Sequence, residues 1–319
     1  MTKAGMSFLG AMAFVALLLV LAIAFALWTP DKPRAELEGK YLRDPSDIRQ
    51  VLGVRLHVRD SGPREAPAVL LLHGFGSSLQ TWDAWAADFS KDMRVVRLDL
   101  PGSGLSSPDP TGDYSDTRSM AVILALLDQL GIQRTTVIGN SIGGRIAWTF
   151  AARQMGRVSH LVLVSPDGFA SPGFAYGRAA DVPATLGLMR YVLPRWLLRM
   201  SLVDAYANPA ALTPERAQRY HDLMLAPGSR DALLARMQQT VLVDPVPLLH
   251  AIAAPTLLLW GRKDGMIPFD NAQDYLSAIP NSRLVPLDGV GHLPQEEAPE
   301  RSAAVVRTFL RETDKEAKA

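Results

Sequence analysis

The sequence predicts an α/β fold: a mostly parallel, twisted sheet with helices on both faces, interrupted by a helical insertion and preceded by one membrane-spanning helix. Three observations predict it. Short, nearly continuous apolar runs alternate with amphipathic stretches, the pattern of strands buried on both faces. Residues 171–249 break that alternation with helical, proline-punctuated sequence. Phe8 to Trp28 carries no charged residue at all.

At about 1.5 Å per residue, the run from Phe8 to Trp28 reaches roughly 30 Å, the thickness of a bilayer core. It is longer than a usual secretory apolar region, although Ala24-Phe25-Ala26 resembles a small-residue cleavage site. Residues 1–28 therefore read as an uncleaved signal anchor in preference to a cleaved signal peptide. Lys3 on one side and Lys32 and Arg34 on the other nearly balance the positive-inside count. An anchor at the extreme N-terminus leaves the rest of the chain outside, so the expectation is an inner-membrane tether with the main domain on the periplasmic or outer side. Residues 29–50, with Pro30, Pro33, Pro45 and mixed charges, read as a linker.

The core is expected in two parts, residues 51–170 and 250–319, on either side of a cap or lid at 171–249. Its strand signals are Val54–Val58, Val69–Leu72, Val95–Leu98, Thr136–Ile138, Leu161–Val164, Thr256–Trp260 and Arg283–Pro286. Between them, Met120–Leu130 places Val122, Ile123, Leu126, Leu127 and Leu130 at helical spacing, and Ile142–Arg153 reads as a second helix. Trp82, Trp85, Trp148 and Phe150 read as packing residues.

Four strand ends carry chemistry. Thr136–Ile138 runs into Gly139-Asn140-Ser141-Ile142-Gly143, and a side chain at the tip of so sharp a strand-to-helix turn needs small residues two positions away. Gly139 and Gly143 supply them, lifting the Ser141 hydroxyl off the sheet and leaving the Ile142 N–H free for an oxyanion. Val69–Leu72 leads into His73-Gly74-Phe75-Gly76, where the Phe75 N–H is the second candidate oxyanion donor. Of six histidines (His57, His73, His160, His221, His250 and His292), His292 has the surroundings of a base, in a glycine-flanked loop after the last strand signal. The orienting acid falls between nucleophile and base in this order of elements. Asp264, in Gly261-Arg262-Lys263-Asp264-Gly265, is preferred to Asp167, whose Pro166-Asp167-Gly168 also reads as a plain turn. His73 and Arg145 read as structural, the first holding its loop and the second as a helix-surface or salt-bridge residue.

These segments, together with Asp99-Leu100-Pro101-Gly102-Ser103-Gly104 and Gly291-His292, resemble the α/β-hydrolase superfamily over residues 51 to 312. Within it the chain is similar to bacterial single-domain serine esterases and lipases, and to hydrolases that cleave carbon–carbon bonds in ring-fission products. The resemblance implies a triad of Ser141, Asp264 and His292, with an oxyanion hole from the amides of Phe75 and Ile142. Haloalkane dehalogenases and epoxide hydrolases carry aspartate at the elbow, which Ser141 argues against. The ring-fission hydrolases show a glycine-richer oxyanion loop and a Trp after the base, where this chain has Phe75 and Leu293. A carboxylic ester of a hydrophobic acyl group is therefore the expected substrate, with carbon–carbon cleavage as the alternative.

Composition excludes several classes. With 33 basic and 32 acidic residues the net charge is +1, so nothing points to nucleic acid as a partner. There is no cysteine, hence no disulfide framework and no thiol nucleophile. No cofactor and no metal are expected, since no cluster has metal-ligand spacing. Within the cap, Leu186 to Met200 interleaves apolar residues with Arg190, Arg195 and Arg199. That stretch reads either as helices packed on the core or as an apolar lid over an acyl pocket, its arginines at lipid headgroups. A non-catalytic binding protein on the same fold is the remaining reading from a different class.

Overall fold

The structure, a computed structural model, describes residues 3–170 and 175–316. The expected start of the cap at Ser171 lies outside the described residues. Eight described strands form one sheet: β1 (Ile48–Val51), β2 (Val54–Ser61), β3 (Ala68–Leu72), β4 (Arg94–Leu98), β5 (Thr135–Ser141), β6 (Val158–Pro166), β7 (Thr256–Gly261) and β8 (Ser282–Leu287). Their spatial order is β1-β2-β4-β3-β5-β6-β7-β8. The pairs β1/β2 and β2/β4 are antiparallel and all the others parallel.

The helices, in chain order, are α1 (Lys3–Leu27), α2 (Arg34–Tyr41), α3 (Asp83–Phe89), α4 (Asp116–Gln129), α5 (Ile142–Arg153), α6 (Arg195–Val203), α7 (Pro214–Met224), α8 (Ser229–Gln239), α9 (Val246–His250), α10 (Asn271–Ala278), α11 (Pro294–Glu297) and α12 (Pro299–Glu316). Successive strand side chains point to opposite faces, so each apolar strand feeds two cores. Leu70 and Leu72 of β3 and Leu258 and Trp260 of β7 pack with α4, α5 and α10. Val69, Leu71, Leu257 and Leu259 pack on the other face with Trp85 and Phe89 of α3 and Val306 and Phe309 of α12. Trp82, Trp85, Trp148 and Phe150 are all buried.

Helices α6, α7 and α8 lie between β6 and β7 in the chain, where the cap is expected. α1 contains one window, Gly10–Leu27, long and apolar enough to cross a membrane, and none of that window is buried against the rest of the chain.

The stretch from Thr29 to Gln50 differs from a plain linker. Pro33 stands at the N-cap of α2, where a proline is tolerated because the first helical N–H groups need no partner within the helix. Leu37 of α2 is buried against Leu105, Leu223 and Ala226. Thr29 N–H donates to the Tyr191 carbonyl at 2.8 Å, and Lys32 N–H to the Leu225 carbonyl at 2.8 Å. Arg230 pairs with Asp31 at 2.6 Å. The Asp222 carboxylate, its side chain only 1% exposed, receives Lys40 at 2.6 Å and Lys32 at 3.2 Å, and Tyr41 OH at 2.7 Å. This segment is a strap along the cap.

Burial works against ionisation of Asp222, but hydrogen bonds from Lys40, Tyr41, Gln218 and Lys32 outweigh it and bring its pKa down to about 2. A carboxyl depressed in the folded state stabilises fully above its unfolded pKa and loses that contribution as pH falls through the folded value. Asp222 is therefore expected to contribute about 2 kcal/mol at pH 5, declining between about pH 4 and pH 2. Chemical denaturation of the wild type and Asp222→Asn at pH 5 and pH 2.5 checks this: the gap between them should shrink at the lower pH.

Candidate active site

Ser141 ends β5 and immediately precedes α5, with φ 56° and ψ −123°. That region is sparsely populated for a residue with a Cβ and costs on the order of 1–3 kcal/mol, a strain that persists where the surroundings impose it. The surroundings are glycines. A Cβ on Gly139 would strike the Gly143 carbonyl, and one on Gly143 would strike the Leu72 carbonyl and lie 2.5 Å from that of His73. Gly74 faces the serine itself, its Cβ position 3.2 Å from the Ser141 Cβ. Gly143→Ala is expected to destabilise the fold by about 1–3 kcal/mol through overpacking. By tilting the elbow it should also lower kcat on the order of a hundredfold, as thermal melting and ester kinetics would show.

His292 lies beyond β8, and its Nδ1 is 2.8 Å from Asp264 Oδ2. The other oxygen of Asp264 accepts the backbone N–H groups of Met266 (2.8 Å) and Ile267 (2.9 Å). Its side chain is fully buried. Asp264 thus has one oxygen committed to its own turn and one to the imidazole. The competing Asp167 is occupied elsewhere. It pairs with Arg145 at 2.6 Å, while Arg145 also holds Asp116 at 2.9 Å. Burial pushes the Asp167 carboxyl up despite the neighbouring guanidinium. Arg145 is a buried bridge between two carboxylates; it does not lie on the helix surface.

Ser141, Asn140, Phe75 and His292 line one cavity of 760 Å³ under the cap. The remaining walls come from Leu186, Met189, Val192, Leu202 and Leu293 among others, and no Arg, Lys, Asp or Glu lines it among the described residues. The other histidines stand apart from it. His57 is paired with Asp99 at 2.6 Å, both fully buried. His160 packs edge-on against Phe309, and His221 Nε2 lies 2.8 Å from the Leu193 carbonyl inside the cap.

The Phe75 N–H has no hydrogen-bond partner among the described residues. Ile142 opens α5, so its N–H has no carbonyl one turn earlier to bond, and it stands at the positive end of the helix dipole. His73 fixes the loop that carries Phe75. It accepts the Leu100 N–H at Nε2 (3.0 Å), so its Nδ1 proton is free to donate to the Gly74 carbonyl at 2.8 Å. Burial depresses the His73 pKa, keeping that neutral tautomer. Asp99 binds the same region, accepting the N–H groups of Leu79 (2.6 Å) and Leu105 (2.8 Å). Burial opposes its charge, but His57, His73 and the Leu79 N–H together outweigh that and hold the carboxyl low.

Two groups at the site carry no local sequence signal. Asn140 donates from Nδ2 to the Val164 carbonyl (3.0 Å) and to the His292 carbonyl (3.1 Å), fastening the His292 loop beside the turn at Ser141. Glu297 accepts the N–H groups of Gly291 (2.7 Å) and Asn208 (2.6 Å), tying the same loop to the cap. The His292 N–H donates to the Ala205 carbonyl at 2.8 Å, a second tie between this loop and the helical insertion.

A family model described as the alpha/beta hydrolase fold matches residues 67–299. The chain belongs to the α/β-hydrolase fold family. This α/β hydrolase is 33% identical over 274 residues to the 2-hydroxy-6-oxononadienedioate/2-hydroxy-6-oxononatrienedioate hydrolase 2 of Pseudomonas putida, covering 81% of this chain and 92% of that one. Among solved structures, a bacterial membrane phospholipase A matches with a TM-score of 0.70 at 23% identity, over 97% of this chain and 98% of that one. That likeness is one of fold. A thermophilic esterase from Thermogutta terrifontis matches with a TM-score of 0.68 at 26% identity, over 81% of this α/β hydrolase and 94% of the esterase.

Proposed function

We propose that this α/β hydrolase is a membrane-anchored serine hydrolase that cleaves carboxylic esters of hydrophobic acyl groups. The observation that carries the reading is one uncharged, aliphatic cavity whose reactive groups are Ser141 and an Asp264-held His292. With its Nδ1 turned to Asp264, His292 has Nε2 left to take the Ser141 proton as the hydroxyl attacks the ester carbonyl. Asp264 keeps the imidazole in that tautomer and stabilises the imidazolium. The N–H groups of Phe75 and Ile142 meet the charge on the tetrahedral intermediate, each contributing on the order of 3 kcal/mol. His292 returns the proton to the leaving alcohol, and water resolves the acyl-enzyme. α1 is the proposed anchor, uncleaved, with the hydrolase domain on the periplasmic or outer side.

The second reading is carbon–carbon bond hydrolysis, favoured by the 33% identity to the Pseudomonas putida hydrolase, whose named substrates are dioates. Against it stands the cavity wall. A carboxylate placed there finds no Arg or Lys among the described lining residues, and burying an unpaired carboxylate is costly. A panel of p-nitrophenyl esters from acetate to palmitate, with one ring-fission dienoate included, separates the readings. Turnover of medium and long acyl esters is the expected result. A higher kcat/KM on the dienoate would overturn the ester reading.

A further inference from the structure

The anchor and the cavity share a residue. Leu27, the last residue of α1, lines the same cavity as Ser141 and His292. The strap behind it is bonded to the cap, since Thr29 N–H reaches the Tyr191 carbonyl (2.8 Å) and the Leu193 N–H reaches Thr29 Oγ1 (3.1 Å). The end of α1 is thereby fixed at the rim of the cavity rather than hanging from a loose tether.

Around that rim several large apolar side chains are exposed. Leu188 is 60% exposed and Leu197 is 40% exposed, yet both also line the cavity. In α6, Trp196 and Met200 stand four residues apart on one exposed face, while Leu198 turns inward and is buried. Trp28 and Tyr191 stack with ring centroids 5.8 Å apart, both more than half exposed, as aromatic pairs do at the level of lipid headgroups. Charged groups flank these apolar and aromatic side chains: Arg195 and Arg199 are exposed in α6 beside Trp196 and Met200, and next to the Trp28–Tyr191 pair Asp31 is held by Arg230 and Arg190 by Asp231. Exposed apolar side chains, a stacked aromatic pair and flanking arginines are the groups that an interfacial protein surface presents to a bilayer.

We infer that the rim formed by Leu188, Trp196, Leu197 and Met200 lies in the bilayer that α1 crosses, and that the cavity receives its acyl substrate from that bilayer. The inference rests on the ester-hydrolase reading and on α1 as a membrane anchor, and it narrows the substrate class to acyl lipids resident in the membrane. An acyl chain entering beside Leu27 passes from hydrocarbon into a cavity of aliphatic side chains. Its apolar surface never crosses water, the step that a water-filled entrance would impose.

The test uses the full chain in vesicles of phosphatidylethanolamine and phosphatidylglycerol that carry nitroxide-labelled acyl chains. The chain has no cysteine of its own, so Met200→Cys and Met155→Cys each give one attachment point for an environment-sensitive fluorophore. Met155 is also exposed, but it precedes β6, at the opposite end of the strands from Ser141. Quenching at position 200 and none at 155 is expected. Equal fluorescence at both sites would overturn the inference, and this readout is independent of any hydrolysis. The kinetic arm uses the double variant Trp196→Ser/Met200→Ser, neither residue being part of the cavity wall. Hydrolysis of vesicle-borne acyl lipid should fall at least tenfold while that of water-soluble p-nitrophenyl butyrate stays within twofold of wild type. Equal losses on both substrates, or none on the lipid, would remove bilayer entry. A wild type inert toward every ester would instead sink the ester reading and leave the quenching result to decide the surface.

Discussion

Ser141→Ala is expected to lower kcat on acyl esters by a factor on the order of 10⁴ to 10⁶ while the melting temperature stays within a few degrees of wild type. The loss is large because the remaining groups have nothing to act through. His292 then has no hydroxyl to deprotonate, and the amides of Phe75 and Ile142 stabilise only direct attack by water. The fold is spared because alanine keeps the Cβ that already occupies φ 56°, so the elbow is no more strained than before. Fluorophosphonate labelling of wild type and variant, followed by mass, checks the assignment directly. Undiminished labelling of Ser141→Ala would move the nucleophile elsewhere.

Asp264→Asn is expected to cost on the order of 10⁴ in kcat, with KM little changed. The direction in which the new amide points is decided by its neighbours. Met266 and Ile267 both present N–H groups to Oδ1, so the asparagine oxygen stays there and its NH₂ faces His292. An NH₂ opposite Nδ1 forces that nitrogen to accept, which moves the imidazole proton to Nε2, the atom required to take the serine proton. The variant should recover activity as pH rises and hydroxide replaces the general base, a rise that wild type should not share. Superimposable pH profiles would show that Asp264 does not set the tautomer.

Much of the architecture was legible because strands buried on both faces must be apolar along nearly their whole length, and β3 and β7 are. The strand ends carrying Ser141, Asp264 and His292 came from the same runs, since each residue sits just past the point where the apolar pattern stops. β1 was not legible. It pairs with β2 across Leu52-Gly53, where Leu52 has φ 48° and Gly53 φ 86°. That backbone is one for which asparagine or aspartate is the usual first residue, and a leucine there gives no turn signal. Asn140 and Glu297 were hidden for a different reason. Their partners are main-chain groups 24 and 152 residues away for Asn140, and 89 residues away for the Asn208 bond of Glu297. No spacing along the chain encodes such contacts. The strap was hidden by its prolines, which read as breakers where Pro33 in fact precedes a helix.

Asp222 also limits where the polypeptide can be shortened to obtain a water-soluble enzyme. Composition alone suggests discarding everything before β1. A fragment begun there lacks Lys32, Lys40 and Tyr41 and leaves an enclosed carboxylate without its counter-ions, a loss on the order of 3–5 kcal/mol. It also uncovers Leu105 and Leu223, against which Leu37 packs. Truncation directly after Leu27 keeps all of these contacts, so the apolar helix α1 can be dispensed with only if the strap from Thr29 to Gln50 is retained.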